Sequence, residues 1–375
     1  MRFETIIIGA GAAGMMCAAH IRDALVIDHA KAAGEKIRIS GGGRCNFTNI
    51  YASAENFLSE NTHFAKSALA RYTQWDFIEL VQRYDIPYHE KTLGQLFCDT
   101  SANDIIAMLR DLMQAAGAEL WLKTSVTAVR HENDTFTLDI VTGEHAETLN
   151  CKNLVIATGG KSIPKMGATS FAYDLASQFG MRVTETRPAL VPFTFSDGRF
   201  SEISGVSLPV QARAGDGVFD EAMLFTHRGL SGPAILQISS YWNEGQDITI
   251  NLTPDVTTMT TLRDQRRISG RRKFKTELAT HIPARLVDHL AQDLDLTGNL
   301  ADWSDSRLST LFDTLQNWSL RPSGSEGYRT AEVTLGGIST EEVSSKSMMS
   351  KRVRGLYIVG EAMDVTGWLG GYNFQ

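Results

Sequence analysis

Cysteine is scarce: Cys17, Cys45, Cys98 and Cys151 are the only four among 375 residues, and no two form a Cys-x-x-Cys pair. That scatter excludes a thiolate metal knuckle and a secreted disulfide framework, so reduced thiols and no metal site are expected. Long apolar runs are missing too. Without 18 consecutive uncharged apolar residues the chain has no candidate spanning helix, and Met1 to Gly9 has the pattern of a strand rather than an export signal. A cytoplasmic chain without membrane contact is expected. Positive charge is in deficit, with a net charge of −7. This excludes a protein that coats nucleic acid with its whole surface and leaves only local basic patches for phosphate.

What is present suffices for two or three domains, with 43% hydrophobic residues to fill their cores. Thr5-Ile-Ile-Ile, Ala10 to Ala19 and Ala24-Leu-Val-Ile-Asp28 read as strand, helix and strand, a βαβ unit. The helix has room for about two or three turns, short for a crossover, as though residues were missing there. Helical spacing recurs over Tyr72 to Tyr84 and Ser101 to Gly117. Ser125 to Arg130 and Thr135 to Val141 read as a hairpin, and Asn153 to Ala157 as a buried strand.

The texture then changes. Short alternating strands, including Leu190 to Phe195, Val206 to Ala212 and Asp247 to Leu252, predict a small β-barrel over 188–255. Spacing such as Leu278, Ile282, Leu286 and Leu290 predicts a helical subdomain over 256–328. The strand Gly355 to Gly360 returns to the first texture. The fold class is therefore α/β, with a discontinuous Rossmann-like domain over 1–187 and 329–375 that carries both insertions. A helix to cover the last strand is expected to be missing after Gln375.

Gly9-Ala-Gly11-Ala-Ala-Gly14 follows a strand and opens a helix. It supplies a tight turn, close backbone approach to a pyrophosphate and close helix packing, while Asp28 ends the second strand where a ribose-binding acid belongs. Ser40-Gly-Gly42-Gly-Arg44-Cys45-Asn46-Phe-Thr48-Asn49 is dense in small and hydrogen-bonding residues, suited to backbone lying against a planar or anionic ligand. Ala157-Thr-Gly159-Gly160 and Gly360-Glu361-Ala-Met-Asp364 end two further strands, and ligands of such sheets sit at carboxyl ends.

These phrases, with Leu224-Phe-Thr-His-Arg-Gly-Leu-Ser-Gly-Pro233, Ala331-Glu-Val-Thr-Leu-Gly-Gly337 and Gly360-Glu-x-x-Asp-Val-Thr-Gly-Trp-Leu-Gly-Gly-Tyr-Asn-Phe-Gln375, resemble the YhiN/BaiN-type flavoproteins along the whole chain. The resemblance implies bound FAD and reduction of a conjugated carbon-carbon double bond. It is closest to the branch regarded as ribosomal RNA dihydrouridine synthases, which implies uracil of 23S ribosomal RNA as substrate. A steroid-like or bile-acid enone, or a non-enzymatic flavin-binding role, is the alternative. It also implies FAD contacts at Gly9, Gly11, Gly14, Asp28, Ser40, Gly42, Arg44, Asn46, Thr48, Gly159, Gly360, Asp364, Gly370, Gly371 and Asn373.

Reduction of such a bond takes a hydride from reduced flavin and a proton from a nearby acid, for which Cys45, His227 and Tyr372 are candidates. Only one Gly-x-Gly-x-x-Gly unit exists, so NADPH or NADH would visit transiently as electron donor. Between Arg263 and Lys275, seven basic residues face one acid in thirteen positions. Such a run is often a solvated face, but Arg266, Arg267, Arg271, Arg272 and Lys273 are the natural phosphate contacts if the substrate is RNA.

Overall fold

The computed structural model describes residues 1–255 and 257–375. It divides into two compact units, Met1–Pro188 with Glu332–Gln375, and Ala189–Ala331.

In the first unit, β1 (Arg2–Ile8), helix α1 (Ala12–Ala19) and β2 (Leu25–Ile27) form the βαβ element. Strand β1 lies in the middle of five parallel strands, between β2 and the strand His145–Ile156; Glu119–Trp121 pairs with β2, and Leu356–Ile358 pairs with Leu154–Ile156. The continuous apolar runs have a direct cause. Ile7, Val26 and Val155 enter one core with α1 and the helix Ala102–Ala115, while Ile6, Ile8, Leu25, Ile27, Leu154 and Ile156 enter a second core with the helix Phe171–Gln178. With both sheet faces covered there, the stretches Ile6–Ile8, Leu25–Ile27 and Leu154–Ile156 have no position for polar side chains.

The expected hairpin is present as Thr124–Glu132 and Thr135–Thr142, and its turn places Asn133 and Asp134 at φ 49° and 56°. Positive φ at both central residues matches the right-handed strand twist. The strand His145–Ile156 is longer than its buried part, because residues 145–151 pair antiparallel with the hairpin while 154–156 pair with Leu356–Ile358. Two partners thus share one edge. Ser101 caps the helix Ala102–Ala115 reciprocally with Asp104, and Gly117 beyond it adopts φ 79°.

The second unit is built on the hairpin Ser207–Ala214 and Gly217–Phe225, extended through Ile248–Asn251 to Trp318–Leu320 on one side and through Gly229–Ser231 and Phe193–Thr194 to Gly324–Ser325 on the other. Two departures from the expected pattern have local reasons. Leu190 at φ 50°, followed by Pro192 without an amide donor, interrupts the expected strand Leu190 to Phe195, leaving Phe193–Thr194. Gly232 followed by Pro233 starts a helix, Pro233–Ser239, inside the region read as strands. Helices Thr257–Ile268, Phe274–Leu278, Ala284–Leu290 and Asp305–Gln316 follow. Leu278, Ile282, Leu286 and Leu290 are all buried, although they span two helices.

Candidate functional site

The site begins where β1 ends. Gly9 turns the chain at φ 111°, and a side chain there would collide with the Ala157 carbonyl oxygen; a side chain on Gly14 would collide with the Gly9 carbonyl oxygen. This crowding packs α1 tightly against the strand ends. At Gly11, the N-cap of α1, an added Cβ would meet nothing within 4 Å. Gly11 therefore presents bare backbone to open space, beside the first helical amides, which lack intrahelical acceptors and carry the positive end of the helix dipole. That arrangement is complementary to a pyrophosphate. Asp28 braces the turn: one carboxylate oxygen accepts from Ala10 N at 2.6 Å and the other from Ala30 N at 2.8 Å. Each oxygen retains a lone pair for a ribose hydroxyl.

Gly159, Gly160, Gly360 and Glu361 come to the same end of the sheet. An added Cβ on Gly360 would lie 2.7 Å from the Ala13 Cβ, and one on Gly159 would lie 3.9 Å from Glu361 Oε2. The loop after helix α2 (Glu35–Ile39) supplies Gly42 at φ 68°, also with open space where a Cβ would be, and Arg44 with an exposed side chain. Ser40 folds back, its hydroxyl donating to the Ile37 carbonyl at 2.9 Å.

Strand β3 (Asn46–Asn49) holds the turn formed by the last residues of the chain. With its amide oriented to donate to the Leu96 carbonyl, Asn46 accepts from Gly371 N at 3.2 Å. The Thr48 hydroxyl donates to Gln375 Oε1 at 2.6 Å, and Asn49 Nδ2 donates to the carbonyls of Leu93 and Gly370, each at 3.0 Å. Asn373 accepts from Gly367 N and donates back to the Gly367 carbonyl, both at 2.8 Å. Asp364 is buried and accepts from Glu60 N at 2.9 Å; burial pushes its carboxyl above the usual range. Most of these polar side chains bond to loop backbone, and together they tie the final turn to β3.

A network absent from the sequence-based candidates joins the strand ends. Lys36 Nζ donates to Ser162 Oγ and to Glu361 Oε2, both at 2.8 Å. Ser162 donates to Glu361 Oε1 at 3.1 Å, which also accepts from Thr334 N at 2.9 Å. Glu361 stands next to Gly360 in a phrase already singled out. Lys36 had one available signal, a cation four residues before the glycine-rich loop.

The proposed proton donors occupy three environments. Cys45 is fully buried in the apolar core at φ 49°, and burial pushes its thiol up to about 12. Tyr372 is buried in the final turn, edge-on to Phe57 and Trp368. His227 belongs to the second unit and is exposed in a turn closed by Thr226, whose hydroxyl accepts from Arg228 N and Gly229 N. In the basic run of that unit, Arg263 and Arg266 pair with Asp305, Arg272 with Glu277 and Lys275 with Asp288. Arg267, Arg271 and Lys273 are exposed and make no ion pair within 4.0 Å among the described residues.

Among the described residues no group of three or more His, Cys, Asp or Glu side chains could hold a metal, and no helix is long and apolar enough to cross a membrane. The open backbone at Gly11 and Gly42 and the braced carboxylate of Asp28 fit FAD.

The chain is 51% identical over 387 residues to the ribosomal RNA dihydrouridine synthase of Escherichia coli (strain K12), covering 100% of this chain and 95% of the relative. It is 46% identical to the protein of the same name from Haemophilus influenzae, covering 99% and 95%. Among solved structures, the 3-ketosteroid-delta4-(5alpha)-dehydrogenase of Rhodococcus jostii RHA1 superposes with a TM-score of 0.51 at 12% identity, covering 100% of this chain and 95% of its own. That likeness is one of fold alone. A family profile described as the HI0933-like protein Rossmann domain matches residues 3–375, so the chain belongs to that family and is an FAD-dependent oxidoreductase.

Proposed function

We propose that this enzyme reduces the C5–C6 double bond of a uracil in 23S ribosomal RNA, giving dihydrouridine, with NADPH or NADH as a transient electron donor. Near-full-length likeness to the Escherichia coli ribosomal RNA dihydrouridine synthase carries the reading. FAD, when bound, would supply the hydride for one carbon of the base, with the nicotinamide as the source of the two electrons. The neighbouring carbon takes a proton, so each turnover consumes one NAD(P)H and one proton. Such a substrate would place the reaction in the cytoplasm.

The chain's own residues bind and orient. The amides from Gly11 to Ala13 hold the pyrophosphate, Asp28 takes a ribose hydroxyl, and Gly42 with Gly159 lets backbone lie close to the cofactor. Cys45, Tyr372 and His227 are the proposed sources of the proton. Exposed aromatic rings beside the β3 wall suit an RNA substrate: Tyr51 is 64% and Trp75 59% exposed, and Gln74 Nε2 donates to the Ile50 carbonyl at 3.0 Å. Exposed rings of this kind stack unpaired bases.

Mass spectrometry of ribosomal RNA from cells lacking the gene tests the reading. Loss of one dihydrouridine, restored by the intact gene, is expected. An unchanged dihydrouridine content, with rapid reoxidation of the reduced enzyme by a steroid-like enone, would instead establish the small-molecule reductase. Replacing Cys45, His227 and Tyr372 singly with Ala identifies the donor. The true donor's variant keeps FAD and loses about 10²–10⁴-fold in substrate reduction.

A further inference from the structure

The nucleotide-binding unit contains a second basic run, Lys346, Lys351, Arg352 and Arg354, with no acid between its ends. Its two lysines line a pocket of about 340 Å³ together with His63 and the hydroxyl residues Thr340, Ser344 and Ser345. No carboxylate among the described residues lines this pocket. The adjacent acids are engaged elsewhere, Glu341 with Arg182 at 3.7 Å and Glu342 with Arg352 at 2.9 Å. Lys346 has no acid within 4.0 Å among the described residues, and Lys351 Nζ touches the Glu341 carbonyl oxygen at 2.8 Å, leaving further N–H donors.

The pocket is held in shape. Arg71 donates to the carbonyls of Ser345 at 3.0 Å and Lys346 at 2.6 Å, fixing the loop that carries the first lysine. One polar group there is unexplained: Thr340 is 2% exposed, and its hydroxyl has no hydrogen-bond partner among the described residues. A buried polar atom without a partner points to a ligand or an ion that completes it. Two ammonium groups, an imidazole and hydroxyl donors, without a competing carboxylate, match a phosphate group.

We propose that this pocket binds a phosphate group, supplied in the working enzyme by a backbone phosphodiester of the RNA substrate. The source rests on the RNA reading above; the phosphate chemistry does not. The Arg263 to Lys275 run, with four of its cations already paired to acids, would be a secondary contact.

The test compares the full-length FAD-loaded protein with Lys346→Ala/Lys351→Ala and with Thr340→Val, using the flavin spectrum and thermal melting to verify folding. Inorganic phosphate is titrated by ³¹P NMR, and a ribosomal RNA fragment over a range of salt. Saturable phosphate binding, weakened at least tenfold in the double variant, is expected. The slope of log affinity against log salt for RNA should also fall by about 0.7 for each single-strand phosphate that the double variant no longer neutralises. Thr340→Val should weaken phosphate binding without lowering the melting temperature. Weakened phosphate binding with an unchanged RNA slope would retain the pocket and assign it to free phosphate. No saturable phosphate binding in the unsubstituted protein, or equal binding in the double variant, would overturn the proposal. Neither titration reads dihydrouridine, so failure of the pocket and failure of the substrate assignment remain distinguishable.

Discussion

Lys36 and Glu361 are 325 positions apart in the chain, yet their side chains meet at 2.8 Å, the lysine partly exposed and the glutamate largely buried. Because Lys36 also holds Ser162, its removal would leave a serine hydroxyl and one carboxylate oxygen without their donor. Lys36→Met should therefore cost about 1–3 kcal/mol at this junction. Retention of FAD, followed by the return of flavin fluorescence on dilution, should weaken by roughly tenfold. Lys36→Arg should recover part of it; normal retention in Lys36→Met would show that the network is not needed to hold the cofactor.

The cysteines supply a pH dependence at the same scale. Cys45, Cys98 and Cys151 are buried, with thiols pushed from about 9 up to about 12. In the unfolded chain these thiols lose protons near pH 9, while the folded protein keeps them to about 12. Between those limits the native state binds more protons, so stability falls as pH rises from about 9 towards 12 and is unaffected by these groups below that window. Chemical denaturation at about pH 8 and about pH 10.5, either side of the start of that window, checks the sign. Below the window the buried thiols should resist a disulfide exchange reagent in the native protein and react once it is unfolded.

At the scale of elements, the contact of α1 with the strand ends has no room for a methyl group. Gly14→Ala would press Cβ into the Gly9 carbonyl oxygen, forcing helix and turn apart where pyrophosphate binding needs them fixed. The variant should purify without FAD and melt lower than the parent by an amount corresponding to about 1–3 kcal/mol. Gly11→Ala is the control, since its Cβ would meet open space and affect only ligand approach. The final turn behaves alike: a side chain on Gly371 would collide with the Thr48 carbonyl, so Gly371→Ala should release the turn from β3 and expose it to proteolysis.

These elements also explain what a sequence can reveal. The two-sided burial of Ile6 to Ile8, the Ser101 cap and the Asn133-Asp134 turn depend on neighbours within a few residues, and their signals are local. The composition of the loop from Ser40 suggests a ligand wall. The partners of its polar residues were not legible, because Asn46, Thr48 and Asn49 bond to residues more than 300 positions later. Lys36 was missed for the same reason: a lone lysine acquires meaning from what the fold brings beside it. The break at Leu190 reflects a backbone conformation that leucine rarely adopts, so nothing in its hydrophobic spacing announces it.

For the whole molecule, the nucleotide-binding sheet draws its strands from both ends of the chain, with the second unit, Ala189–Ala331, intervening in sequence. Deleting residues 355–375 would remove the strand Leu356–Ile358, Glu361 and the turn clasped by β3 together. Such a protein should bind no FAD, measured by its absorbance after purification, whereas retained stoichiometric flavin would mean that the first stretch alone forms the cofactor site.

The edge that His145–Ile156 shares between two partners has a consequence for biosynthesis. Its antiparallel partner, Thr135–Thr142 of the hairpin, leaves the ribosome just before it and pairs at once over 145–151. Its parallel partner follows roughly 200 residues later, a delay of about 10–40 s at typical translation speeds. During that interval the apolar flank of Leu154–Ile156 stays uncovered, and the nascent chain offers an aggregation-prone edge until translation reaches Leu356. Slow codons or ribosome stalling within the second unit would lengthen that exposure, making the yield of active flavoprotein depend on translation rate as well as on the stability of the finished fold.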